Sequence, residues 1–536
     1  MRAMSTMRMA RALWHMLRAD FLERVRRYSF LITLASTIWL GYLMGTGKLG
    51  LWIGDARGVF NSAWIGTAMA LVINTFLCLL GFYVVKGPVE RDRMTGVGQI
   101  LATTPLSKPL YTLGKMLSNL AVLTSMVAVL AAASVVIQLT VAEDPQIHLW
   151  TLLAPFLFLS IPVMALVAAM AVLFETIPFL RGGFGNIVWF FLWTGGLMQG
   201  IGDGRTGAQD MIGLGPVYGK MIRAYTAKFG TVPRGFVLGG IEHGREPVKT
   251  FLWNGVDWTA GAILGRLLWI FVACGLAVAA ALFFDRFDPS RDGRFQRQPA
   301  PGPANGELPE VNAPAAERPA PVTLIPLAPI PAGGASFRFT AVLLAELKLA
   351  LKGRRWWWYA GAAGLFIAGL VNRPQAVKEI VLPLTWIWPI LLWSPLGTRE
   401  SRFDTGGLLF SSARPLLRQL PATWLAGVVL AMATGSGAAL RFLAAGDLTA
   451  LGAWLVGALF IPSLALALGI WSGTSKLFEI TYLLIWYIGP MNHIPHLDYM
   501  GATKTGPAEG MPLIYLGLTA LLAAAAVAGR KKQLAG

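Results

Sequence analysis

Long apolar runs separated by short polar segments set the character of this chain. The runs fall at about 28–46, 60–86, 112–141, 149–174, 184–201 and 262–284, and then at about 356–372, 380–397, 421–443, 449–471, 477–491 and 512–529. Most reach or approach the ~20 residues that an α-helix needs to cross a ~30 Å hydrocarbon core. A membrane barrel would be written in ~10-residue alternating segments, so the pattern predicts helices. The expectation is an all-α, polytopic integral membrane protein with about 12 transmembrane helices.

The polar stretches beside these runs orient them. "ALWHMLRADFLERVRRYSF" places Leu13, Met16, Leu17, Phe21 and Val25 near helical spacing, with Arg18, Arg24, Arg26 and Arg27 elsewhere. That predicts a basic amphipathic helix lying on the cytoplasmic interface; a plain juxtamembrane basic collar is the alternative. No removable signal peptide is expected. An even number of spans puts both ends on one side. Arg2, Arg8 and Arg11 at one end, with Arg530, Lys531 and Lys532 at the other, assign that side to the cytoplasm. The loop "VAEDPQIH" has acids and no Lys or Arg, as an external loop should. A bacterial-type inner membrane is the expected location.

Composition agrees with this reading. The 536 residues are 55% hydrophobic and 13% charged, against ~25% charged in a soluble domain. A net charge of +18 would suit nucleic acid, but the basic residues collect in short loops next to the spans, so no nucleic-acid partner is expected and membrane lipids are. Cys78 and Cys274 lie inside apolar runs and read as small packed hydrophobes. In the middle, "PAPGPANGELPEVNAPAAERPAPVTLIPLAPIPAGG" is too poor in burial-competent residues to fold, which predicts a disordered or polyproline-like linker. The chain then divides into an interfacial helix (1–27), a six-span half (28–285), a cytoplasmic linker (286–336), a second interfacial helix (337–355), a second six-span half (356–529) and a tail (530–536).

Two charged segments interrupt the apolar pattern at matching places, after the second run of each half. They are "VERDRMTGVGQILATTPLSK" (89–108) and "RESRFDTGGLLFSSARPLLR" (399–418). Setting Glu90 on Glu400 without gaps gives an offset of 310, which also pairs Thr95 with Thr405, Gly96 with Gly406, Pro105 with Pro415 and Lys108 with Arg418. The fifth runs carry Trp193 and Trp486 at similar depth. This predicts a six-span unit duplicated and fused in parallel orientation. Within each segment, "VGQILATT" and "GLLFSSA" fit a short helix stopped by Pro, lying on the cytoplasmic face. A plain positively biased loop is the alternative.

An amphipathic helix, two spans and then "ERDRMTGVGQILATTPLSKPLYTLGKML" resemble the permease subunits of type-2 ATP-binding-cassette (ABC) exporters. There the stretch has the flavour Glu-Arg-x-x-Gly-Thr followed by Leu-Ala-Thr-Pro-Leu-Ser and forms the coupling helix received by an ATPase subunit. The second half keeps "REsrfdTGGLLFSSARP" but has Arg414 in the place of Thr104. The resemblance implies that Glu90, Arg91, Thr95, Gly96, Glu400, Thr405 and Gly406 contact the ATPase. It implies export of a small amphipathic molecule, drug, peptide or lipid, driven by a separate ABC ATPase in two copies. No G-x-x-x-x-G-K-[ST] phosphate loop occurs, since "GTGKLG" at 45–50 has neither the spacing nor the hydroxyl. No cofactor is expected in this chain; ATP and Mg belong to the partner, and the chain is not expected to be an enzyme.

Other features change the picture less. About sixty external residues precede the sixth run, as a gate, a cargo contact or a plain loop. His493, His496 and Asp498 form H-x-x-H-x-D, but Pro495 splits it and no metal site is assigned. Glu175, Arg181, Lys476 and Glu479 border spans on the cytoplasmic side, where charges snorkel or pair. Arg266 and Arg441 are expected to reach the interface, and "KGRRWWWY" at 352–359 reads as an aromatic belt. A 12-span secondary transporter of the major facilitator type is the rival reading, with the scarcity of mid-span carboxylates against it.

Overall fold

The computed structural model describes residues 6–45, 50–202, 210–233, 235–240, 248–288, 338–412, 414–492, 494–503, 506 and 509–535. The Pro/Ala-rich linker from 289 onward and His493 lie outside these residues, as do parts of the external segment at 203–209, 234 and 241–247.

Among the described residues, eight helices are long and apolar enough to cross a membrane: Ser62–Met94, Lys108–Val141, Leu149–Thr176, Ala260–Phe283, Pro374–Trp393, Pro415–Ala444, Leu448–Ser472 and Met511–Leu534. Phe30–Met44 and Trp356–Val371 are apolar but shorter. Helices also occupy Gly183–Gly202 and 475–491. The expected interfacial helices are Thr6–Val25 and Phe339–Leu351. This is a helical, membrane-embedded architecture. Burial separates its centre from its rim: the most apolar part of Ser62–Met94 is 83% buried, that of Met511–Leu534 only 22%. The rim helices present Leu282 and Phe271 outward, as side chains facing lipid tails can.

Proline and π turns shape the inner helices. The helix at 62–85 widens at Ile73–Leu77, and the one at 374–387 widens at Val377–Val381 beside Pro383. Such turns leave backbone carbonyls without their i+4 donors, and in hydrocarbon each must find another. Trp193 donates to the Thr75 carbonyl, inside the first π turn, at 2.7 Å, and Trp486 to the Pro383 carbonyl, just after the second, at 2.9 Å.

A small four-stranded sheet accompanies the helices. Strands β1 (Gly50–Ile53), β2 (Ala56–Gly58), β3 (Phe236–Gly240) and β4 (Lys249–Phe251) run in the order β3-β1-β2-β4. β1 pairs antiparallel with β2 and β3, and β2 pairs parallel with β4. With the Leu214–Phe229 helix it encloses its own core of Ile53, Trp64, Met221, Tyr225 and Phe251. Strands of three to five residues give almost no periodicity to read, and β1 meets β3 across nearly two hundred residues. The long segment before the sixth helix is therefore partly folded, against the hairpin that follows the first.

Candidate functional site

The first charged segment is two short helices, Pro88–Met94 and Val97–Thr103, joined by Thr95 and Gly96. Gly87 (φ +133°) turns the chain out of the preceding helix, and Gly96 (φ +75°) turns it again; both angles favour a residue without Cβ. Pro88 suits a first helical position, where no N–H is needed. The free amides of that turn are taken by Glu175, whose carboxylate accepts from Gly87 (2.6 Å), Val89 (2.7 Å) and Glu90 (3.2 Å).

Charge then staples the segment to three neighbours. Arg91 pairs with Asp20 at 2.7 Å and with Glu23, both on the interfacial helix. Asp92 receives the Lys115 ammonium at 2.7 Å and the Tyr111 hydroxyl at 2.8 Å, both from the Lys108–Val141 helix. Arg93 pairs with Asp285, just past the sixth helix, at 2.8 Å. Lys115 also reaches Asp20 at 2.8 Å and is 2% exposed. Buried charges survive only when paired in this way. Burial alone would push the Asp20 carboxyl up, but Lys115, with Arg24 and Arg91 behind it, holds it below its ordinary value. Asp285 is likewise held down, by Arg93 against the effect of burial.

The second segment repeats the stapling with different letters. Arg399 pairs with Glu346 of the second interfacial helix at 2.8 Å. Glu400 is buried, accepting from Arg530 on the last helix and from Gln419, each at 3.1 Å. Arg91 and Arg399 each pair with the N-terminal helix of their own half, and the next residue, Asp92 or Glu400, is buried in both. That is an offset of 308, the one that also relates Thr75 to Pro383. The gap-free match of Glu90 with Glu400 has an offset of 310, two more than that of the two arginines.

This geometry sorts the seven residues expected to face a partner. Glu90 and Thr95 are exposed, Gly96 has open space around it, and Thr405 and Gly406 are half-buried. The charged ends of Arg91 and Glu400 are paired within the chain, with Asp20 and Glu23 and with Arg530. The free surface instead carries apolar side chains that charge-based reasoning passed over. Met94 and Ile100 are 63% and 68% exposed, Phe403 and Leu408 58% and 80%, with Val97 and Leu409 beside them. The signal was present in "VGQILATT" and "GLLFSSA", apolar residues in segments that do not cross the membrane.

The two halves meet at their fifth helices. Asn186 donates its amide to Glu479 293 positions away, the same spacing that relates Trp193 to Trp486. Phe190 packs edge-on to Tyr487, and Phe191 to Trp486. Two aspartates build the same loop 288 positions apart. Asp210 accepts from the amides of Ile212, Gly213 and Gly215, Asp498 from those of Met500, Gly501, Ala502 and Thr503. Gly213 and Gly501 both have positive φ, +82° and +76°. The Asp498 carboxylate is therefore occupied by backbone. Arg266 does not reach the interface; it is buried beneath the Asp210 loop, donating to the carbonyls of Asp210 (2.8 Å) and Phe158 (3.3 Å). No protein-family model matches the chain, and no curated protein or solved structure is significantly similar to it.

Proposed function

We propose that the chain is the membrane permease of an ABC exporter, with all twelve helical runs crossing the bilayer as two parallel six-span repeats. The observation that carries this reading is the recurrence of contacts. Each charged segment is bound by an arginine to the preceding interfacial helix and by an ion pair to the end of its sixth helix, Arg93–Asp285 in one half and Glu400–Arg530 in the other. Three further correspondences, at the indoles, the fifth helices and the aspartate loops, support duplication independently.

Stapling of this kind makes each segment a rigid handle. A push on Val97–Thr103 passes through Arg91 and Arg93 into the interfacial and sixth helices, so the half moves as a body. The exposed apolar residues Met94, Val97 and Ile100, with Glu90, Thr95 and Gly96 around them, form the surface offered to a separate ATPase. Phe403, Leu408 and Leu409, with Thr405 and Gly406, do the same below the second half. Two ATPase copies fit two handles. Parting of the fifth helices would then open a path for an amphipathic cargo between the halves, both termini remaining in the cytoplasm.

Coexpression with a cassette ATPase encoded beside it tests the proposal. The permease is expected to retain that subunit through purification, to show no nucleotide hydrolysis alone, and to support ATP-driven transport in vesicles. Uptake driven by a proton gradient without the ATPase, or hydrolysis by the isolated chain, would overturn it.

A further inference from the structure

Lys476 belongs to the second half but binds the first. Its ammonium donates to the carbonyls of Tyr83 (3.1 Å) and Lys86, in the last turn of the helix that leads into the first charged segment. The chain turns at the next residue, Gly87, where a Cβ would stand 3.6 Å from that ammonium. Glu175 closes the same turn from the other side through the three amides it accepts. The Lys86 side chain meanwhile donates to Asn186 at 2.7 Å, and Asn186 to Glu479. Gly183 lets Glu479 come this close, because a Cβ there would lie 2.6 Å from its oxygen. Lys86, Glu175, Asn186 and Glu479 are each at most 5% exposed. The root of the first segment and the seam between the halves therefore share one buried hydrogen-bond network.

The second segment is held from within its own half, where the Ser394 side chain at its root hydrogen-bonds Glu479. Arg399 and Glu400 are held by Glu346, Arg530 and Gln419, all of their own half. The correspondences explain why. Lys86 falls on Ser394, whose hydroxyl reaches Glu479 of its own half, and Lys476 falls on Gly183, which has no side chain to send across.

We infer that Lys476 and Glu175 are positioning residues that clamp the turn into the first charged segment across the seam between the halves, whereas the second segment joins the seam through its own half. Movement of that segment and parting of the seam are then one event, while the second segment follows its own half alone. The meaning of this asymmetry for transport rests on the proposed function; the mechanical link does not, and is measurable in the isolated chain.

Hydrogen exchange of the full chain in lipid nanodiscs tests it. Lys476→Met is expected to speed exchange of amides in 84–103 at least about fivefold while 399–412 is unchanged, because local opening reports the contacts that hold a segment. Glu175→Gln should act on the same stretch. A second arm leaves the polar network intact: Phe190→Cys with Tyr487→Cys, joined by a short thiol cross-linker in a background lacking Cys78 and Cys274, should protect 84–103 and not 399–412. No change at 84–103, or equal change in both segments, in either arm overturns the inference. If Lys476→Met fails to fold, the cross-linked protein decides alone. Failure of ATPase binding would remove the proposed function and leave this link standing.

Discussion

The ammonium of Lys115 lies 2.7 Å from Asp92 and 2.8 Å from Asp20, joining a cytoplasmic segment to an interfacial helix through a residue on a third element. Breaking a buried pair from one side leaves uncompensated charge, at a cost of ~3–5 kcal/mol. Lys115→Met is therefore expected to lower the thermal midpoint in detergent markedly. Asp20→Asn combined with Lys115→Met should recover part of the loss, since fewer charges are then stranded. An unchanged midpoint for Lys115→Met would show that the cluster does not hold the segment.

Glu90 and Glu400 should part company when mutated. Glu400→Ala strands Arg530 in a buried site and should reduce stability, whereas Glu90→Ala should leave folding intact. Docking of an ATPase should depend more on the apolar surface. Ile100→Ser with Leu408→Ser is expected to weaken complex recovery at least tenfold, since buried interface anchors carry ~2 kcal/mol or more each, with normal membrane levels. Recovery equal to the parent would remove these residues from the interface.

The two aspartate loops should be structural. Asp498→Ala leaves four buried amides without their acceptor, and each such loss costs ~1–3 kcal/mol before relaxation. Limited proteolysis from the outside should then nick the chain near 498–510. Asp210→Ala should expose its own loop and also loosen Arg266, which donates to the carbonyl of Asp210.

Acid should fray one helix start selectively. Asp447 precedes the Leu448–Ser472 helix, and its carboxyl is lowered from 3.8 to about 2, first by the hydrogen bond from Lys378 and then by the amide of Ala450. A pKa depressed on folding contributes stability that is complete above the unfolded value and disappears as pH falls through the folded one. Exchange at 448–452 should accordingly rise between about pH 4 and pH 2 in the parent, and be already fast and nearly flat over that window in Asp447→Asn.

Much of the membrane architecture was legible because the properties that encode it are local. Run length and apolarity predicted a helix at each of the twelve places, and the spacing of apolar residues in the polar flanks predicted the helix at Thr6–Val25. The paired charged segments were legible as well, since composition changes abruptly at 89 and 399. Their orientation was not. Glu90 and Asp92 are both acids on one turn of chain, yet one faces outward and the other binds Lys115, which lies on the following helix.

What the sequence by itself determined is the list of helices and the position of the two charged segments between them, because hydrophobic burial acts residue by residue. Tertiary structure alone decided which charges are spent and which are offered. Matching letters favoured an offset of 310, but the Arg91–Asp20 and Arg399–Glu346 pairs give 308. A buried charge selects its position by its partner, and that partner comes from another helix. The β1–β3 pairing and the reach of Lys476 to Tyr83 and Lys86 depend in the same way on groups distant in sequence that meet only when the chain is packed.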